Sequence, residues 1–259
     1  GINVVNAIHG ELPDTSDVRG RVGDPEWETR VQLAGLFRLA DYYGWSELVF
    51  THISARVPGN EEHFLLNPFG LMFDEVTASS LVKIDLDGKI VDETPFDFHP
   101  AGFVIHGAVH AARPDVQCVI HNHTRAGMAI SMLECGLLPL SQHAQVFYGK
   151  VAYHDYEGLA LDTDECARLS ADLGDNAVMI LRNHGVLVTG DTIPKAFALM
   201  WTLEKACQAQ LDAMRTGAEL VMPPPEVSRK TGEMALAPDS LIGNTEWSAL
   251  MRMLDRLDP

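Results

Sequence analysis

Cysteine is scarce in this 259-residue chain: Cys118, Cys135, Cys166 and Cys207 are scattered, with no CxxC pair. That pattern reads as free, buried thiols in a reducing compartment, with the cytoplasm as the expected location. Basic residues are few as well, 19 Lys and Arg against 36 Asp and Glu, for a formal charge of −17. A surface that negative repels phosphate backbones and anionic lipid, which argues against nucleic-acid and membrane-surface roles. No uninterrupted apolar run approaches the roughly 18 residues that a membrane span needs. The first residues (GINVVNAIHGELPD) show no basic leader followed by an apolar core, so no signal peptide is expected. Internal repeats and low-complexity tracts are missing. So are GxGxxG, GxxxxGK[ST] and GxSxG, which removes the dinucleotide, P-loop and serine-hydrolase readings.

What remains is ordinary globular composition, with 46% hydrophobic and 21% charged residues. Residues 1–23 read as an extended arm, 24–221 as one α/β domain, and 222–259 as a second arm ending in a helix. Asp24-Pro25 opens a helix whose apolar positions Leu33, Leu36, Phe37, Ala40 and Tyr43 keep helical spacing up to Gly44. Strands are expected at Leu48–Val57, His63–Asn67 and Leu81–Leu86, the last turning at Asp87-Gly88 into Lys89–Val91. Beyond them a helix over Gly102–Arg113, a strand at Val116–His121 and a helix over Arg125–Leu133 follow. Strands at Val151–Tyr153 and Ala177–Arg182 flank a helix capped by Asp162 and closed by Gly174. Thr192–Thr216 is the longest helix, its Met and Leu rows read as core, and Pro223-Pro224-Pro225 breaks the chain after it. Thr245–Leu257 is amphipathic, with Trp247, Leu250, Met251 and Leu254 on one face. The sum is a mixed α/β layer protein with partly antiparallel pairing.

Histidine carries the chemistry. His121 and His123 are two apart at the end of an apolar strand, where side chains share a face. A second apolar strand, Val178–Leu181, leads to His184. Three neutral imidazoles leave a divalent cation with open positions, as in a catalytic site, and nitrogen ligands alone admit Zn²⁺, Mn²⁺ or Fe²⁺. His106 and His110 lie four apart on a helix face, without the acidic residue of HExxH. His110 reads as a helix-end residue favoured by the dipole, and His106 as a weaker candidate for the site.

The chain resembles the class II aldolase/adducin family, through Ala112-Arg113-Pro114-Asp115, Val119-Ile120-His121-Asn122-His123 and Asn183-His184-Gly185. Stretches 63–92, 101–116, 134–141 and 151–158 are most similar to its adducin-head branch. The resemblance runs from about Trp27 to Arg215. It implies a three-layer α/β/α sandwich around a mostly antiparallel central sheet, assembled as a homo-oligomer, commonly a tetramer with sites at subunit edges. It also implies a divalent metal, with zinc first, on His121, His123 and His184. Sugar-phosphate aldolases of the family carry an SSE stretch whose Glu moves the proton and whose serines hold phosphate. Pro100-Ala101-Gly102 stands at that place here, so Glu falls on Gly102. The GN of their first phosphate loop falls on Thr51-His52.

These departures favour a non-phosphorylated small-molecule substrate. A cation on adjacent substrate oxygens can stabilise an enolate formed by aldol cleavage or by loss of CO₂. The expected activity is a metal-dependent carbon–carbon lyase, with decarboxylation ahead of retro-aldol cleavage because it needs no base to start. His52 and Tyr153 are the foremost proton-transfer candidates, followed by His143, Tyr148 and His154. The alternatives are a non-catalytic adducin-like scaffold domain and, behind it, an Fe(II)-dependent oxygenase.

Overall fold

The protein is described from a computed structural model covering residues 10–159, 162–240 and 242–258. Its centre is a seven-stranded sheet in the order β3-β2-β1-β4-β7-β6-β5. The strands are β1 (His52–Arg56), β2 (His63–Leu66), β3 (Val82–Asp85), β4 (Cys118–Asn122), β5 (Val151–His154), β6 (Val178–Leu181) and β7 (Gly185–Gly190). Every pairing is antiparallel except β5 with β6, so the sheet is mixed and mostly antiparallel.

Period-two alternation along the strands splits the core into two layers. Ile53, Cys118, Ile120, Val186 and Val188 face α2 (Asp24–Tyr42), α4 (Arg125–Ser131) and α7 (Ile193–Arg215). Val119, Met179, Leu181 and Leu187 face the opposite way. They meet α6 (Glu165–Leu173) and a compound helix, α3, built from turns at Pro100–Gly102, Phe103–Gly107 and Ala108–Ala112. The middle turn of α3 is π-helical. Helices on both faces make the expected three-layer sandwich.

Local chemistry explains most boundaries. Thr192 caps α7 by accepting from the Lys195 N–H at 3.1 Å, and Pro194 preorganises the first turn. Gly23 rather than Asp24 is the N-cap of α2, and Gly44 follows that helix in the left-handed region. Asp164 rather than Asp162 flanks α6. Residues Val18–Arg21 of the first arm form a helical turn, α1, where an extended segment was expected. The Leu48–Val57 strand is shorter than its composition suggested. Leu48 and Thr51 have φ of 51° and 63°, so residues 47–50 make a tight turn and β1 starts at His52. Two helices lacked a readable period: α5 (Gln142–Gln145), capped by Ser141, and α8 (Pro225–Ala235), which starts on the third proline. The terminal helix α9 (Glu246–Leu257) packs on its own chain, with Trp247 against Phe197 and Met251 against Gly35.

Cys118 and Cys207 are buried free thiols as expected, whereas Cys166 is half-buried and Cys135 exposed. Among the described residues no helix is long and apolar enough to cross a membrane.

Candidate metal centre

β4 and β6 both run antiparallel to β7, so their C-terminal ends open at the same edge of the sheet. β4 delivers His121 and then His123. The turn between β6 and β7 delivers His184, with Asn183 in the left-handed region at φ 58°. Gly185 is required there, because a Cβ would sit 2.4 Å from the Asn122 carbonyl oxygen. The three Nε2 atoms converge: His123 Nε2 is 3.1 Å from His121 Nε2 and 2.9 Å from His184 Nε2.

The outer nitrogens are already assigned. His121 Nδ1–H donates to the Val186 carbonyl at 3.0 Å, and His123 Nδ1–H donates to Glu47 Oε2 at 2.6 Å. Each bond leaves an Nε2 lone pair facing the common centre, as metal-bound imidazoles require. Burial, and then the neighbouring imidazoles, hold His121 well below the usual histidine range. Burial, followed by His123, pushes His184 down to about 4. Three convergent imidazole nitrogens without a carboxylate among them fit a divalent transition metal with open positions. Glu47, 76 positions from His123, escaped sequence reading altogether.

The triad lies at one wall of a cavity of about 420 Å³. Phe50, Ala101, Ile105, Tyr156 and Leu159 supply apolar surface, while Thr51, His99 and Asn183 add polar groups. Among the described residues, no Lys or Arg lines it. His52 lies on the same wall, its ring stacked on His121 with centroids 5.3 Å apart. A Cβ built on Gly102 would lie 3.3 Å from His52 Cδ2 and 3.0 Å from Leu66 Cδ2. The His52 imidazole therefore takes up room beside position 102, where the family resemblance puts a Glu. Burial, and then the surrounding histidines led by His106, keep His52 well below the ordinary histidine pKa.

The other candidates go elsewhere. Tyr153 alternates onto the face opposite His121; its hydroxyl accepts from the Leu137 N–H at 3.1 Å and Arg182 lies over its ring. It does not line the cavity. His143 packs near Trp201, and Tyr148 packs against Gly232 of α8. His154 is buried, not at the surface: its Nδ1 donates to Asp172 at 2.7 Å and its Nε2 to Glu165 at 2.9 Å, with Glu157 at 3.2 Å. Burial opposes its charge, but the bonds to Asp172 and Glu165 raise its pKa overall. His154, Glu157 and Glu165 form a second cluster that sequence spacing did not reveal.

His106 and His110 need correction as well. His110 does stand in the last turn of α3, but it is 1% exposed and His106 0%, and both point onto β1 behind the cavity wall. Burial, with Arg56 next, pushes His110 down to about 3, the reverse of a dipole-favoured cation.

Comparison with known proteins gives this arrangement its context. Residues 31–211 match the model of the Class II Aldolase and Adducin N-terminal domain. The crystal structure of an aldolase II superfamily protein from Pseudomonas syringae is 53% identical. It superposes with a TM-score of 0.88, covering 93% of this chain and 97% of that one. An L-fuculose 1-phosphate aldolase from Glaciozyma antarctica is 29% identical, with a TM-score of 0.79 over 95% and 94% of the two chains. Alpha-adducin of Rattus norvegicus is 42% identical over 99% of this chain, which spans 37% of that protein's length. The chain therefore belongs to the class II aldolase and adducin N-terminal domain family.

Proposed function

We propose that this protein is a metal-dependent carbon–carbon lyase acting on a small, oxygenated, non-phosphorylated acid or carbonyl compound. His121, His123 and His184 would hold the ion, zinc being the first choice and manganese or iron the others. Bound there, a divalent ion supplies a Lewis acid that draws electron density from adjacent substrate oxygens. His123 is oriented by Glu47, and His121 by the Val186 carbonyl. His52 presents its free nitrogen beside the triad and is the chain's own group for proton or hydrogen-bond transfer. Phe50, Tyr156 and Leu159 flank the space where the substrate body would lie.

The observation that carries this reading is the cavity lining. Three imidazoles face a mostly apolar chamber that, among the described residues, lacks any Lys or Arg, so a phosphate group would find no cationic side chain from this chain. Gly102 adds to it, since aldol cleavage needs a group to manage the alkoxide proton and loss of CO₂ needs only an electron sink at the outset. Decarboxylation is therefore placed ahead of retro-aldol cleavage. Leu48, Phe50, Tyr156 and Leu159 are exposed apolar side chains near or at the cavity mouth, which supports a site at the edge between copies of a homo-oligomer.

The test is turnover by protein loaded with Zn²⁺, Mn²⁺ or Fe²⁺. Hydroxylated carboxylates are followed by CO₂ release, and aldols by aldehyde release. Turnover of one class, lost in His52→Ala with metal retained, is the expected result. No turnover of either class would count against the lyase. The extended identity to alpha-adducin then favours a scaffold domain whose histidines have no catalytic duty.

A further inference from the structure

Beneath His52 a line of sealed polar side chains continues away from the cavity. His52 Nδ1 is 3.2 Å from His106 Nε2. Ser54 Oγ is 2.5 Å from His106 Nδ1 and 2.8 Å from His110 Nε2. The order is His52, His106, Ser54, His110. Strand alternation puts His52 and Ser54 on one face of β1, while spacing of four puts His106 and His110 on one face of α3, so the two rows meet. All four residues are buried. Among the described residues, no carboxylate hydrogen-bonds any of them. One end of the line, His52 Nε2, has no hydrogen-bond partner among the described residues and belongs to the cavity wall. The other end, His110 Nδ1, is buried without a hydrogen-bond partner.

Counting protons decides what such a line can do. Each neutral imidazole carries one N–H and the serine one O–H, giving four protons for three links. Every link takes one. The fourth must sit at an end, on His52 Nε2 or on His110 Nδ1, and that choice fixes the direction of every link. A sealed N–H without an acceptor is the rarer defect, compared with a lone pair without a donor. The Val116 carbonyl lies near His110 and accepts from Arg56 Nε at 3.1 Å, but His110 Nδ1 makes no hydrogen bond to it.

We infer that Ser54, His106 and His110 are positioning residues that hold His52 in the tautomer with its N–H on Nε2, aimed into the cavity. In this arrangement His110 Nε2–H donates to Ser54 Oγ, Ser54 O–H to His106 Nδ1, and His106 Nε2–H to His52 Nδ1. His52 is thereby a fixed hydrogen-bond donor for an oxygen on which negative charge develops, and not an initiating base. Its use in turnover rests on the lyase reading; the tautomer does not.

The full chain, labelled with ¹⁵N-histidine and studied with and without Zn²⁺, tests this through two-bond ¹H–¹⁵N spectra that show which ring nitrogen bears hydrogen. The expected result is Nε2–H at His52, His106 and His110 alike. Ser54→Ala removes the central link, so His106 and His52 should become tautomer mixtures, and Ser54→Thr, which keeps the hydroxyl, should restore the single form. His52 with hydrogen on Nδ1 in the wild-type chain overturns the inference even if neither variant folds. So does a Ser54→Ala chain with His52 unchanged. The expected tautomers together with no turnover of any oxygenated acid or carbonyl compound would leave the positioning line standing and remove the lyase.

Discussion

A group of five histidines and a cluster built around a single one lie against one face of the same sheet and have opposite electrical characters. His52, His106, His110, His121 and His184 are packed against one another and against backbone, and burial drives all of them below the ordinary histidine pKa. His154 is just as buried, but Asp172, Glu165 and Glu157 surround it and its pKa rises. The difference shows that burial alone does not set the charge of an imidazole; the nearest partner does. On the proposed reading, the first group offers lone pairs to a cation and a fixed proton to a substrate. The second is an ion-pair clasp that ties the end of β5 to α6.

The strongest way to break this contrast is to remove the clasp. His154→Ala leaves Glu165 and its neighbours without their cation in a nearly closed site, and should cost about 3 kcal/mol of stability. Urea unfolding measures it, and a loss below roughly 0.5 kcal/mol would show the clasp to be idle. Glu47→Gln probes the other group. The His123 ring stays in place but loses its carboxylate partner, and metal affinity should fall by about 10–100-fold with little change in unfolding. Calorimetric titration with Zn²⁺ reads that ratio.

The pH dependence of the metal-free chain sharpens the comparison, because the two groups act with opposite sign. Histidines with depressed pKa contribute stability that is present above about 6.5 and lost as pH falls; for His110 the loss continues towards about 3. His154, with a raised pKa, contributes stability that is present below about 6.5 and lost as pH rises through its folded value. His106→Gln should therefore flatten the acid limb of a stability profile and His154→Gln the alkaline limb. Identical profiles for the two variants would erase the distinction. The smallest effect is expected at Tyr153→Phe, which loses one hydrogen bond to the Leu137 N–H, about 1 kcal/mol, and leaves metal content untouched.

The reach of the sequence follows from what is local. The convergence of His121, His123 and His184 was legible because two apolar strands end where they stand, and strand geometry alone brings residues two apart together. The span of α7 was legible because Thr192 and Pro194 mark its start and the apolar period runs unbroken. The start of β1 was not, since Leu48 and Thr51 are β-formers held in a left-handed turn that their own chemistry disfavours. Tyr153 was misplaced by one step of the pleat, which sends a side chain through the sheet. Spacing put His106 and His110 on one helix face correctly. Their burial depends on the register that sets Ser54 opposite Val119, a long-range pairing that no local pattern encodes. Glu47 is invisible for the same reason.

The central claim is that three convergent imidazoles at one sheet edge form a site for a divalent ion. Elemental analysis of untagged protein, purified without chelator beside His121→Ala, tests it most directly. The account expects about one transition metal per chain in the wild type and none in the variant. A wild-type chain that carries no metal and takes up none from Zn²⁺, Mn²⁺ or Fe²⁺ would contradict it.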